Sequence, residues 1–155
     1  SKAPLSLTSV NVLRMLVFTE GTIIKAELDE ERRMIRGYAL GSAAEKLRTW
    51  RAEGVDIVYL TSRTTPNEVA VVIKVLADNG FPAGELFFRR AGEQYKDVAE
   101  KILPDIILED DCESIGGEAE MVYPNMRPDL KARIKSVVVK DGSGIDHLPE
   151  SVKDL

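Results

Sequence analysis

The stretch Met-Leu-Val-Phe-Thr-Glu-Gly-Thr, residues 15–22, decides the fold. Its first half is a short apolar run, which predicts a buried strand over residues 15–18. Its second half is polar and contains Gly21, which predicts a turn directly after that strand. A buried strand that ends in a polar turn is typical of an α/β protein that binds its ligand at the edge of the sheet.

The same arrangement recurs along the chain, because apolar runs alternate with segments of helical spacing. Apolar runs of this kind are typical of strands covered on both faces, and strands separated by helices are typical of a parallel sheet. We therefore predict an α/β fold, a three-layer αβα sandwich with a mostly parallel, Rossmann-like sheet. The central strands are predicted at residues 15–18, 55–60, 85–89, 105–108 and 136–139.

Capping residues mark the starts of two helices. Ser42 with Glu45 predicts a capping box at the start of the first. Thr65 as N-cap, with Pro66 at the first helical position, predicts the start of the second. Other helices are predicted over residues 27–36, 93–103 and 127–134.

The composition is typical of one globular domain. The chain has 155 residues, of which 44% are hydrophobic and 30% charged, so it can bury a core without disulfides. We assign residues 1–14 to an N-terminal tail or extension and residues 15–155 to the domain. The net charge of −5 argues against a nucleic-acid partner, because such a partner requires a basic face.

Cysteine content and hydropathy indicate the compartment. Cys112 is the only cysteine in the sequence, so no internal disulfide can form. No apolar run approaches the length needed to span a bilayer. These features predict a cytoplasmic protein with no membrane contact.

Polar side chains follow the predicted strands at the edge where parallel sheets bind ligands. Clustered carboxylates suit Mg²⁺, hydroxyl groups and a lysine suit phosphate oxygens, and a glycine turn exposes amides that can hold an anion. Together they predict a Mg²⁺-dependent phosphate site. The candidate residues are Glu20, Gly21, Thr22, Thr61, Ser62, Lys96, Glu109, Asp110 and Asp111.

In order and spacing, these residues resemble the four motifs of the haloacid dehalogenase-like (HAD-like) superfamily of phosphohydrolases, over most of the chain from Met15 to Val139. The first motif there is an apolar strand followed by Asp-x-Asp-Gly-Thr. More narrowly, Phe-Thr-Glu-Gly-Thr-Ile and Glu-Asp-Asp-Cys-Glu-Ser-Ile-Gly-Gly resemble an uncharacterised prokaryotic branch. Because no long insertion interrupts the chain, the resemblance implies a protein without a cap domain and with an open site.

The resemblance also implies a role for each candidate. Glu20 corresponds to the general acid/base, Thr61 to the residue that binds phosphate, and Lys96 to the lysine that neutralises its charge, so these three form the implied catalytic set. Gly21, Thr22 and Ser62 would complete the phosphate site. Two of the acids Glu109, Asp110 and Asp111 would hold Mg²⁺.

The sequence departs from the family at one position. Phe18 stands where the family has the aspartate that attacks phosphorus, and a phenyl ring cannot attack. Thr19 is adjacent, but a shift of one residue along a strand points the side chain to the other face. A threonine without a nearby base is also a poor nucleophile. Covalent aspartyl-phosphate chemistry is therefore not expected of this chain.

Three hypotheses follow for function. The chain is a weakly active phosphohydrolase in which Glu20 serves as base for an attacking water, or a non-catalytic pseudoenzyme that binds a phosphorylated ligand or a protein. The third hypothesis is a structural subunit without a ligand. The ligand could be a small molecule or a macromolecule, and a homo-oligomer is compatible with an open site.

Overall fold

The computed structural model describes residues 12–155. Seven strands occur in this part of the chain: β1 (Arg14–Phe18), β2 (Ile24–Leu28), β3 (Met34–Ala39), β4 (Asp56–Leu60), β5 (Leu86–Phe87), β6 (Ile106–Asp110) and β7 (Lys135–Val139). The α-helices are α1 (Ala43–Ala52), α2 (Pro66–Asp78), α3 (Tyr95–Ile102) and α4 (Pro128–Lys131). Short 3₁₀ turns follow β6, and another lies at Val152–Asp154.

Five strands form one sheet in the order β5-β4-β1-β6-β7, and every pair in it is parallel. The predicted α/β fold with a mostly parallel sheet is confirmed. β1 lies at the centre, with Met15 opposite Ile57 of β4 and Ile106 of β6. The carboxyl ends of β1, β4 and β6 therefore meet at one edge, as the sequence predicts.

Alternate residues of β1 pack in two separate cores, because successive side chains of a strand point to opposite faces. Met15 and Val17 join one core with Trp50 of α1 and Val72 of α2. Leu16 and Phe18 join the other. That second core also contains Val98 and Ala99 of α3 and Leu130 of α4. Helices thus cover both faces of the sheet.

The segment predicted as a helix over residues 27–36 is instead a β-hairpin, so that prediction is wrong. β2 and β3 pair antiparallel, and Asp29 holds the turn by accepting hydrogen bonds from the amides of Glu31 and Arg33, both at 2.9 Å. The Glu68 carboxylate accepts the Met34 amide at 2.8 Å and ties the hairpin to α2. The local helical preference of this segment is outweighed by the turn at Asp29 and by the hydrogen bond to Glu68.

Helix starts agree with the sequence in one case and differ in another. The Thr65 side chain accepts the Glu68 amide at 3.4 Å, with Pro66 in the first turn, so the predicted N-cap of α2 is confirmed. At α1 the predicted capping box is wrong, because the Ser42 side chain makes no capping hydrogen bond. The Asp146 carboxylate, remote in sequence, accepts the Ser42 amide instead at 2.9 Å.

Several predicted bounds also shift. β1 begins at Arg14, and residues 1–11 of the predicted tail lie outside the described residues. β5 has two residues rather than the predicted stretch 85–89, and α4 is one turn rather than a helix over 127–134. β6 continues to Asp110 because β7 pairs with it as far as Val139. No helix within residues 12–155 is long and apolar enough to cross a bilayer.

The α2 cap offers a direct test of local stability. We expect Thr65→Ala to lower the free energy of unfolding by about 1 kcal/mol, because the amide of Glu68 loses its side-chain acceptor. Thr64→Ala is the matched control, since Thr64 is its exposed neighbour and forms no cap. Urea denaturation measures both. Equal losses in the two variants would contradict the N-cap role.

Candidate functional site

The carboxyl edge of the sheet holds a cleft of about 340 Å³, called the main cleft below. It combines residues that follow β1, β4 and β6 with side chains from the β2–β3 hairpin and from the loop after β7. The lining includes Phe18, Glu20, Gly21, Ile24, Lys25, Leu28, Arg32, Ser62, Arg63, Arg89, Tyr95, Asp110, Cys112, Glu120 and Asp141.

Glu20 is bonded to the residues after β4. Its Oε2 accepts the Thr61 hydroxyl at 2.6 Å, and its Oε1 accepts the amide and the hydroxyl of Ser62 at 2.8 and 3.0 Å. The Thr61 oxygen in turn accepts the Arg63 amide at 3.1 Å. The predicted site residues Glu20, Thr61 and Ser62 therefore come together. The hydroxyl protons of Thr61 and Ser62 are already donated to Glu20.

Thr22 supports Asp110. The Thr22 hydroxyl donates to Asp110 Oδ1 at 2.7 Å and accepts the Asp110 amide at 3.0 Å, and both residues are buried. The amide of Gly21 donates to the Ile24 carbonyl at 2.9 Å, and that of Thr22 to the Thr19 carbonyl at 3.2 Å. The turn after β1 thus has its own hydrogen-bond partners, and it presents neither amide to an anion.

Gly21 is required by close approach and by backbone conformation. Its φ is +89°, in the left-handed region that favours glycine, and a Cβ there would lie 2.9 Å from Asp110 Oδ1. Gly92 has a similar φ of +83°, but nothing lies within 4 Å of the position a Cβ would take. The two glycines share a backbone requirement and differ in crowding.

Three carboxylates gather at the end of β6 and β7. Ligand oxygens of Asp110, Asp111 and Asp141 all lie within 4.8 Å of one another. Burial raises the pKa of Asp110, against hydrogen bonds from Thr22 and the Cys112 amide that lower it. Each carboxylate oxygen has two lone pairs, so these bonds leave acceptor capacity for a cation. The donor set suits a hard divalent cation such as Mg²⁺.

Asp141 was missed in the sequence analysis, although it carried a usable signal. It follows β7 by two residues and precedes Gly142, and so stands at the end of a parallel strand like the other candidates. The Asp141 amide donates to Asp111 Oδ1 at 3.1 Å, which joins the two loops. Its place after a parallel strand is the signal that identifies it in the sequence.

Glu109 is not part of this cluster, so its assignment as a metal ligand is corrected. It points to the opposite face of β6 from Asp110, where its two oxygens accept the amides of Val122 and Tyr123 at 2.7 and 2.9 Å. Burial raises the pKa of Glu109 to about 7, in spite of those two bonds. Its role is to anchor the segment after β6.

Phe18, the last residue of β1, has its side chain both in the second core and at the cleft. The ring is buried in the second core and meets the Tyr95 ring edge to face, with centroids 5.3 Å apart. It also forms part of the lining of the main cleft. Thr19 is fully buried, and its hydroxyl bonds the Leu60 carbonyl at 3.3 Å, so it cannot act as a substitute nucleophile.

The Cys112 thiol is a poor nucleophile in this environment. Burial raises the pKa of the Cys112 thiol to about 12, and the charges of Asp110 and Glu109 act in the same direction. The thiol therefore stays protonated at neutral pH, although it forms part of the cleft wall.

Lys96 lies outside the main cleft. It lines a neighbouring cavity of about 330 Å³, called the adjoining cavity below, together with Gln94 and Asn125. Arg89, Tyr95 and Glu120 line both cavities, so the two are in contact. The structure thus brings eight of the nine predicted site residues to this edge of the sheet or its border, with Glu109 turned away.

Comparison with known proteins gives no family for this chain. No protein-family model matches it, and no curated protein matches it at a significant level.

The contact between Gly21 and Asp110 can be tested by stability. We expect Gly92→Ala to cost on the order of 1 kcal/mol of unfolding free energy, from the left-handed backbone alone. Gly21→Ala should cost at least about 1 kcal/mol more, because the added methyl group crowds the Asp110 carboxylate. Thermal or urea unfolding measures the difference. Equal costs would contradict the close approach.

Glu109 should make stability depend on pH. Burial raises the pKa of Glu109 to about 7 in the folded protein, whereas in the unfolded chain the pKa is the ordinary 4.5 of a glutamate. Its contribution is therefore present at low pH and is lost as pH rises through 7, up to on the order of 3 kcal/mol in total.

We expect unfolding free energy, measured in metal-free buffer, to fall between pH 5 and pH 8 more steeply in the parent than in Glu109→Gln, which cannot titrate. Glu45→Gln is the matched control, because Glu45 is exposed on α1. The same pH dependence in the parent and in Glu109→Gln would contradict the raised pKa.

Proposed function

We propose that this chain is an HAD-like protein that binds a phosphorylated ligand with Mg²⁺ and does not hydrolyse it. The observation that carries the proposal is Phe18, whose buried ring lines the main cleft where a nucleophilic carboxylate would be needed. A phenyl ring has no lone pair to attack phosphorus, and losing a covalent nucleophile typically costs about 10⁴- to 10⁶-fold in rate.

The bonding of Glu20 supports the same proposal. A general acid/base must exchange a proton with the reacting group, and the two Glu20 oxygens are instead held by Thr61 and Ser62 at 2.6 to 3.0 Å. Those hydroxyl groups would have to leave Glu20 before either could bind a phosphate. The internal bonds stabilise a closed arrangement of Glu20, Thr61 and Ser62.

Asp110, Asp111 and Asp141 would hold the Mg²⁺. Their oxygens converge within 4.8 Å, and all three are acidic oxygen donors of the kind that this cation prefers. The cation would neutralise negative charge on a phosphate oxygen. Thr22 keeps Asp110 in position through its two hydrogen bonds, and Asp111 is oriented by the amides of Glu113 and Asp141.

A weakly active phosphohydrolase is the second candidate, and one observation favours it. Glu20 and Asp110 line the same cleft, so an acid/base and a metal ligand face a common space. Turnover by this route would require the Glu20 carboxylate to release Ser62 and accept a proton from water. The closed hydrogen bonds make this the less favoured of the two.

Aryl phosphate hydrolysis distinguishes the two functions. We expect no Mg²⁺-dependent turnover by the parent and measurable turnover by Phe18→Asp, because the variant has a carboxylate that can attack phosphorus. Phe18→Asn is the matched control, since it places a polar side chain of similar size in the core but has no carboxylate that could attack. Circular dichroism verifies that both variants fold.

Robust Mg²⁺-dependent turnover by the parent, abolished by Asp110→Asn, would overturn the proposal and establish a working hydrolase. Equal activity in Phe18→Asp and Phe18→Asn would mean that residue 18 is not at the nucleophile position.

A further inference from the structure

The main cleft has an apolar wall beside its acids. The apolar residues of the lining are Phe18, Ile24, Ala26, Leu28, Leu40 and Ile115. Two of them remain open to solvent: Leu28 is 38% exposed, and Ile115, at 65%, is the most exposed large hydrophobic side chain of residues 12–155. One exposed apolar residue is ordinary, but two in the lining of one concave site form a surface that a ligand can cover.

The segment that carries Ile115 is fixed to the acids of the site. Three successive amides, those of residues 112–114, donate in order to Asp110 at 3.0 Å, Asp111 at 3.1 Å and Asp141 at 3.0 Å. These bonds use one oxygen each of Asp111 and Asp141, so the other oxygen of each stays available for a cation. The carboxylates that would hold Mg²⁺ therefore also hold Ile115 in the wall of the main cleft.

Leu28 is held by a separate segment, the β2–β3 hairpin. The Gly21 amide donates to the Ile24 carbonyl at 2.9 Å at the base of the hairpin, and Asp29 closes the turn directly after Leu28. The Glu68 carboxylate ties the returning strand to α2. Both exposed apolar side chains thus stand on segments that are already ordered, which lowers the entropy lost when a ligand contacts them.

Neutral polar partners for a hydroxyl-rich ligand are scarce in the main cleft. Among the described residues that line it there is no asparagine, glutamine or threonine. Its two serines already donate their hydroxyl protons, Ser62 to Glu20 at 3.0 Å and Ser114 to Asp141 at 2.5 Å. A sugar or another polyol would give up water at several hydroxyl groups and find few neutral partners, which weakens its binding.

The size of the cleft limits the ligand. Its volume of about 340 Å³ is at the lower end of the roughly 300–1,000 Å³ that is typical of small-molecule sites. That space suits a cation, one phosphate and a short organic group, and it favours a small molecule over a segment of a macromolecule.

We infer that the phosphorylated ligand carries a short apolar group, alkyl or aryl, which packs on Leu28 and Ile115 while its phosphate stays beside the cation site of the three aspartates. This inference rests on the proposed function and adds the class of the organic group. The ligand is the phosphate monoester of an apolar alcohol or a phenol rather than of a polyol. Burial of the two exposed side chains and of the ligand's own carbon atoms supplies the added affinity.

The experiment measures binding of methyl, propyl and pentyl phosphate and of glycerol 3-phosphate to the full chain by titration calorimetry, with and without Mg²⁺. We expect affinity in Mg²⁺ to rise about two- to fourfold for each CH₂ group, from the burial of apolar surface. Propyl phosphate and glycerol 3-phosphate have the same number of carbon atoms. Propyl phosphate should bind about tenfold more tightly, because the two free hydroxyl groups of glycerol lose water without gaining partners.

Two variants test the named contacts. We expect Leu28→Ser and Ile115→Ser each to reduce the gain in affinity from methyl to pentyl phosphate by about three- to tenfold, because each removes part of the apolar wall. Ile73→Ser is the matched control, since Ile73 is 53% exposed on α2 and lies outside the lining of the main cleft. It should leave the dependence on chain length as it is in the parent.

The outcomes separate the inference from the proposed function. Equal affinities for methyl and pentyl phosphate, or for propyl phosphate and glycerol 3-phosphate, would overturn the inference while Mg²⁺-dependent binding leaves the proposed function standing. The same chain-length dependence in Leu28→Ser, Ile115→Ser and Ile73→Ser would also overturn it. So would a dimer, measured by sedimentation, that either cleft variant converts to a monomer, because the two side chains would then be covered by a second copy. If the parent binds none of the four probes in Mg²⁺, the proposed function fails and the inference fails with it.

Discussion

The central position of β1 is the constraint on which the rest of the structure depends. β4 and β6 pair with its two edges, and helices cover its two faces, so Met15 to Phe18 are buried on every side. A strand held this way cannot slip by one residue without moving its apolar side chains to the wrong faces. The residues after it are therefore carried to one defined place at the sheet edge.

That constraint also fixes the surroundings of residue 18. Its side chain must enter the second core and the wall of the main cleft together, and phenylalanine satisfies both by packing on Tyr95. The next residue, Thr19, is fully buried, and its hydroxyl donates to the Leu60 carbonyl at 3.3 Å. The apolar ring thus stabilises the fold and at the same time lines the main cleft.

The polar residues around this ring form internal networks. Thr61 and Ser62 donate to Glu20, Thr22 fixes Asp110, and Glu109 holds the segment after β6. Such networks satisfy buried polar groups and make the site rigid.

The sequence by itself predicts the parallel sheet and most of the residues that line its carboxyl edge. Apolar runs separated by capped helical segments predict the parallel sheet, and polar residues at strand ends predict which side chains meet, because both follow from local periodicity and from sheet topology. The sequence does not reveal the β2–β3 hairpin, because its charged residues resemble those of a solvated helix. The contact that ties the hairpin down, from the Met34 amide to the Glu68 carboxylate, joins residues remote in sequence. It also does not reveal that the Asp146 carboxylate accepts the hydrogen bond of the Ser42 amide.

Tertiary structure alone decided how each acid is used. Glu109 and Asp110 are neighbours with the same chemistry, and the alternation of β6 sends one to the amides of Val122 and Tyr123 and the other to Thr22. Asp141 joins the cluster because β7 pairs with β6 and brings its loop to the same edge. The position of each acid at a strand end can be read from the sequence, but which carboxylate oxygens converge depends on contacts between residues far apart in the chain, and local periodicity does not specify those contacts.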